Sequence, residues 1–143
     1  MRSKIYYPNL ALLLVRLGLA FVFIEHSLQK LSAWRFSAIF FARLHLPFPV
    51  FTLFLVCGVE LLGGIAMLLG LWTDIFGVLL AIDMLGVIIT VRMGPMAKGI
   101  LAGHEFELML LLMSLAVALI GSGQFSLIKP KLTEDPFADP KLQ

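Results

Sequence analysis

"VCGVELLGGIAMLLG", residues 56–70, sets one carboxylate, Glu60, among residues that are otherwise apolar or glycine. An acid so isolated needs either water at a surface edge or a partner inside a membrane bundle. Composition favours the second. The chain has 143 residues, 60% hydrophobic and 14% charged, whereas an ordinary globular chain is about 45–50% apolar and about 25% charged. Extended outward, the stretch becomes an apolar run over residues 50–72. At about 1.5 Å per residue it rises about 35 Å, enough to cross a hydrocarbon core of roughly 30 Å.

Residues 10–31 form a second run of spanning length. A third, 75–92, follows residue 72 after only Thr73 and Asp74, so it must turn straight back as a membrane hairpin. The fourth, 104–122, has an apolar centre at 106–120 that rises only about 22 Å, and it must recruit the polar residues at its ends to reach both surfaces. Between the first two spans, "SAWRFSAIFFARLHLPFP" (32–49) mixes aromatics with Arg35 and Arg43 and suits a segment lying in the headgroup plane. Pro47 and Pro49 end it and launch the next helix. The expectation is an all-α integral membrane bundle of four transmembrane helices, one domain over 1–128, with that interfacial segment between helices 1 and 2. Residues 129–143, proline-rich with mixed charge, read as a solvated tail. The amino end resembles a secretion signal, but Arg16 interrupts it and "EHSLQKL" lacks the small residues of a cleavage site, so it is expected to remain as the first helix.

Charge and motifs exclude several function classes. The formal net charge of +2 is small and scattered, with no basic run that a nucleic acid would require. The single cysteine, Cys57, forbids an internal disulfide or a CxxC relay. No nucleotide loop and no haem or iron–sulfur motif is present, and no HxxxH or ExxH spacing points to a metal. The lipid bilayer is the expected partner. The basic residues divide evenly between the two membrane sides and give the chain no orientation.

Three charges fall well inside the spans, away from their ends. Counted by depth from the side holding the termini, Arg16, Glu60 and Asp83 come out roughly level. Each would cost about 2.5–3.5 kcal/mol if left alone at a helix centre, so the expected arrangement is a core polar network with the Arg16 guanidinium held by one or both carboxylates. A second group gathers at the opposite rim, where His26 and Lys30 close the first helix while Glu105 and Glu107 open the fourth. Glu105 and Glu107 point about 200° apart, so one of them faces inward. Histidine titrates near neutral pH and carboxylates relay protons in membranes. His26, Lys30 and a rim carboxylate, Glu105 or Glu107, are therefore candidates for proton exchange and for contact with the polar head of a lipophile such as a quinone.

"RLGLAFVFIEHSLQKL" (16–31), "GVELLGGIAMLLGLWT" (58–73) and "GHEFELMLLLMSLAVALIGSGQFSL" (103–127) resemble the signature regions of the DoxX family of small bacterial four-helix membrane proteins. The resemblance covers nearly all of the chain before the tail. It implies recurrent polar positions at Arg16, His26, Gln29, Lys30, Glu60 and Glu105, which makes His26, Lys30 and Glu105 the expected catalytic groups, whereas Asp83 and Glu107 are not general family positions. It further implies residence in the bacterial cytoplasmic (inner) membrane and a role as a quinone-interacting membrane subunit in a redox or oxidative-stress system. A soluble redox subunit and a second copy of the chain are the implied partners. A non-enzymatic scaffold for other membrane proteins is the alternative, followed by a small proton-coupled carrier using Glu60 and Asp83.

Overall fold

The computed structural model describes residues 8–92 and 104–127. Among these, all regular structure is helical: α1 (Pro8–Ser32), α2 (Trp34–Arg43), α3 (Pro49–Leu69), α4 (Thr73–Val87), a π-helical turn over Ile88–Arg92 that prolongs α4, and α5 (Glu105–Ile120). The expected tail 129–143 lies outside the described residues. Among the described residues, three helical stretches are long and apolar enough to cross a membrane: Pro8–Ser32, Pro49–Leu69 and Thr73–Val91. The fourth expected span is represented by α5, whose 16 residues rise only about 24 Å.

Local chemistry sets the breaks. Pro49 opens α3, where its fixed φ and missing N–H cost nothing. Gly70 closes α3 at φ 73°, a left-handed conformation open to glycine at little cost. Leu71 and Trp72 complete the tight turn into α4 earlier than the hairpin expectation, and Thr73 and Asp74 instead open the helix. The short α2 leaves Phe36 and Ile39 exposed, and Arg35 lies over the Trp34 ring at 5.6 Å. That combination of apolar face and basic edge fits the headgroup plane.

Packing follows the small residues. α1 lies along α3, α3 along α4, and α4 along α5, with α2 laid against α3. Gly64 of α3 admits Ile24 and the Ala20 carbonyl of α1, Gly63 receives Leu80 of α4, and Gly77 of α4 abuts the Ser114 carbonyl of α5. Close backbone approach at small residues is the main packing device in a bilayer, where burial of apolar surface gives helices no advantage over lipid. Leu19, Phe23, Leu53, Met67 and Leu80 are fully buried, while Phe21, Phe51, Ile82 and Leu119 face outward. Such an apolar exterior is stable in acyl chains.

A Cβ at Gly77 would stand 2.7 Å from the Ser114 carbonyl oxygen and 2.9 Å from the Ala118 methyl, whereas a Cβ at Gly86 meets nothing within 4 Å. We expect Gly77→Ala to destabilise the protein by about 1–3 kcal/mol through overpacking and Gly86→Ala to be neutral or mildly stabilising. Denaturant unfolding of both variants in mixed micelles checks the contrast.

Candidate functional site

The buried charges form two separate centres, not one. Arg16 is 1% exposed, and its guanidinium donates to backbone carbonyls: Nε to Met67 at 2.9 Å, Nη1 to Ser122 at 2.7 Å and Phe125 at 2.8 Å, and Nη2 to Leu68 at 3.4 Å. The expected pairing of Arg16 with Glu60 or Asp83 is therefore corrected. The physical reason is antiparallel register. Ile24 meets Gly64 and Ser27 Oγ donates to the Cys57 carbonyl at 2.9 Å, which places residue 16 opposite the end of α3 and residue 30 near Glu60. Along α1, Lys30 lies about 21 Å beyond Arg16.

At the α3 terminus Arg16 meets the negative end of the helix dipole together with orphaned carbonyls. Their accounting is complete. The Ala66 carbonyl accepts from the Gly70 and Leu71 amides, Met67 and Leu68 accept from Arg16, and Leu69 accepts from the Leu127 amide. Arg16 thus closes α3 and ties the segment after α5 onto it.

The second centre is built on Glu60. Its side chain is fully buried and ion-paired through Oε1 with Lys30 Nζ. From α4, Asp83 lines the same cavity wall as Lys30 and Glu60. Two carboxyls and one ammonium thus meet where α1, α3 and α4 converge. Beside them lies a cavity of about 400 Å³, within the usual range of ligand pockets, roughly 300–1,000 Å³. His26, Lys30, Glu60, Asp83, Thr90 and Glu107 supply polar groups to its wall, and the rest is largely apolar, including Phe40 and Phe41 of α2.

The rim residues sort by helix face. His26, half-buried on α1, reaches the cavity with its ring 6.0 Å from that of Phe106. Glu107 is 8% exposed and lines the wall, but Glu105 is exposed and lies outside the cavity. Their separation of about 200° around α5 enforces that split. The structure accordingly gathers His26, Lys30 and Glu107 with Glu60 and Asp83, and leaves Glu105 and Arg16 elsewhere. The Lys30–Glu60 pair and the roof from α2 went unforeseen. The first could have been found by setting α1 against α3 through Ala20, Ile24 and Gly64. Thr90 sits in the π-helical turn, a local feature frequent at functional sites. Among the described residues, no three His, Cys, Asp or Glu side chains are placed to share a metal ion.

The arrangement is a lipophilic pocket with a charged, proton-bearing end. Comparison with known proteins agrees with its membrane setting. A protein of Bacillus subtilis (strain 168) named "Putative oxidoreductase CatD" is 36% identical over 110 residues, covering 77% of this chain and 78% of that relative. No solved structure matches. The DoxX family pattern matches residues 11–93, across both polar centres, and this chain is a member of the DoxX family and an integral membrane protein.

Proposed function

We propose that this chain is the membrane subunit of a quinone-linked redox system, with the cavity taking the quinone ring. The observation that carries the reading is the cavity itself: an apolar enclosure that ends on Lys30, Glu60 and Asp83 and opens into a helix bundle immersed in lipid. A quinone is an apolar ring with two polar oxygens, and the donor set fits it. His26 and the Lys30 ammonium can donate hydrogen bonds to those oxygens, while Glu60 and Asp83 can hold and pass a proton. When bound, the quinone supplies the two-electron chemistry. The chain's part is to bind the ring, exclude water from it and exchange protons beside it.

The name of the Bacillus subtilis relative, "Putative oxidoreductase CatD", supports the same class of role. In this reading α5 completes a fourth crossing by recruiting its polar flanks, the protein resides in the bacterial cytoplasmic membrane, and a soluble redox subunit exchanges electrons with the bound quinone. A homo-oligomer fits the exposed apolar helix faces.

The test is direct binding of a lipid-soluble benzoquinone to the full chain in nanodiscs. Val87 is half-buried, packs against the core and lines the cavity wall, so a larger side chain there fills part of the void. Val87→Phe should weaken binding at least about tenfold, or about 1.4 kcal/mol, with an unchanged unfolding midpoint. Equal binding by the two proteins would place the ligand elsewhere.

A further inference from the structure

The cavity has a side door, and its position follows from the faces of α4. Gly77 packs against α5 and Leu80 against Gly63 of α3. At 100° per residue, Asp83, Gly86 and Ile82 lie progressively farther round the helix, past α3 and away from α5. Ile82 and Gly86 line the cavity and are also exposed on the outer surface, Ile82 at 60%. Phe40 of α2, on the cavity wall, is likewise exposed at 40%. The pocket therefore opens sideways between α3 and α4, beneath α2, onto the apolar exterior.

Gly86 sits in that mouth. It is an interior helix position, where glycine costs about 1 kcal/mol relative to alanine, yet no neighbour requires a missing Cβ: none would be met within 4 Å. Gly63, Gly64 and Gly77 each admit a packed neighbour, whereas Gly18, Gly58 and Gly86 adjoin open space, and of these three Gly86 is the one that lines the cavity. Ile82 and Ile89 continue an exposed apolar strip alongside it. At the inner end, Glu60 is fully buried against Lys30 and Asp83, so the polar part of an entering molecule must lead and its apolar part must trail.

From this we infer that the ligand enters from the bilayer through the α3–α4 mouth and keeps a hydrocarbon tail threaded over Gly86. The inference rests on the quinone reading of the cavity and deepens it. The ligand class becomes a tailed, membrane-resident quinone instead of a water-soluble one, and Gly86 becomes the residue that leaves room for the tail. The ring occupies the enclosed space, while the tail gains contacts along Ile82 and Ile89 that a tail-less ring cannot make.

The experiment compares two benzoquinones with the same ring, one carrying a decyl chain and one a methyl group. Binding to the full chain in nanodiscs is measured with both concentrations expressed in the membrane phase, so that partitioning cancels. Wild-type protein should bind the decyl probe at least about tenfold more tightly. Gly86→Leu should remove that advantage while changing methyl-probe binding less than about twofold, and Gly86→Ala should retain it. Equal wild-type affinities for the two probes would overturn the inference without recourse to any variant. A Gly86→Leu protein that binds both probes as the wild type does, or loses both alike, would also overturn it. Failure of both probes to bind wild-type protein would overturn the quinone reading itself, an outcome distinct from the other two.

Discussion

Replacing Lys30 with methionine should destabilise the protein by about 3 kcal/mol. The ammonium neutralises Glu60, which is 0% exposed, while Lys30 retains 26% of its own side-chain surface. Breaking a buried ion pair by removing one partner costs about 3–5 kcal/mol because the other charge is left uncompensated, and the partial exposure of Lys30 sets the expectation at the lower end. Adding Glu60→Gln to Lys30→Met should recover most of the loss. The fully buried Glu60 charge that Lys30 balanced is then gone, and the half-buried Asp83 carboxyl is the acid left beside it. Denaturant unfolding of the wild type, both single variants and the double variant in mixed micelles gives the coupling directly. Two single losses that simply add would show that Lys30 and Glu60 do not act as a pair.

Replacing Arg16 should cost at least as much, for a different reason. Its guanidinium donates to the carbonyls of Met67, Leu68, Ser122 and Phe125, two of which end α3 inside the membrane bundle. An unsatisfied buried acceptor costs about 1–3 kcal/mol, and no water is on hand in a hydrocarbon environment to compensate. Arg16→Met should therefore lose about 4 kcal/mol. Arg16→Lys should recover under half of that, since a point charge cannot reproduce the planar fork that serves four acceptors. Hydrogen exchange gives a second readout. The Leu127 amide, bonded to the Leu69 carbonyl at 3.0 Å, should exchange faster in Arg16→Met, while amides in the middle of α4 stay protected. Gly70→Ala should imitate the defect, because an added Cβ would collide with the Arg16 guanidinium at a backbone φ of 73°.

These two outcomes mark where sequence reading succeeded and where it stopped. The inward placement of Glu60 was legible from its face, shared with Gly63, Gly64 and Met67, all of which are buried. Its partner was not. Counting depth from the ends of apolar runs assumes that the helices start in one plane, whereas Ile24 seated on Gly64 and Ser27 bonded to Cys57 shift α1 along α3. Lys30 consequently takes the place assigned to Arg16. The carbonyls that hold Arg16 leave no trace in side-chain identity, because every helix end has them; only the fold decides which end receives a cation.

The same distinction holds at the rim. Helical periodicity correctly separated Glu105 from Glu107 but could not say which looks inward, since that depends on how α5 is rotated against α4 at Gly77 and Ser114. The aromatic and basic make-up of α2 was plain in the sequence. Its place over the cavity, with Phe40 and Phe41 on the wall, depends on the path from Ala33 to Pro49 and was invisible. The π-helical turn at Ile88–Arg92 likewise has no compositional mark, although it carries Thr90 to the wall.

The central claim is that one cavity, bounded by the Lys30–Glu60–Asp83 centre, receives a quinone ring. Photo-crosslinking tests it most directly: a benzoquinone with a photoreactive group on the ring is irradiated with the full chain in native-like membranes, and the labelled residues are located by mass spectrometry. The account predicts label on the wall of α3 and α4, at Val56, Asp83 or Val87, and its loss in Val87→Phe. Label confined to lipid-facing residues such as Leu14, Phe21 and Leu119, with none on that wall, would contradict it.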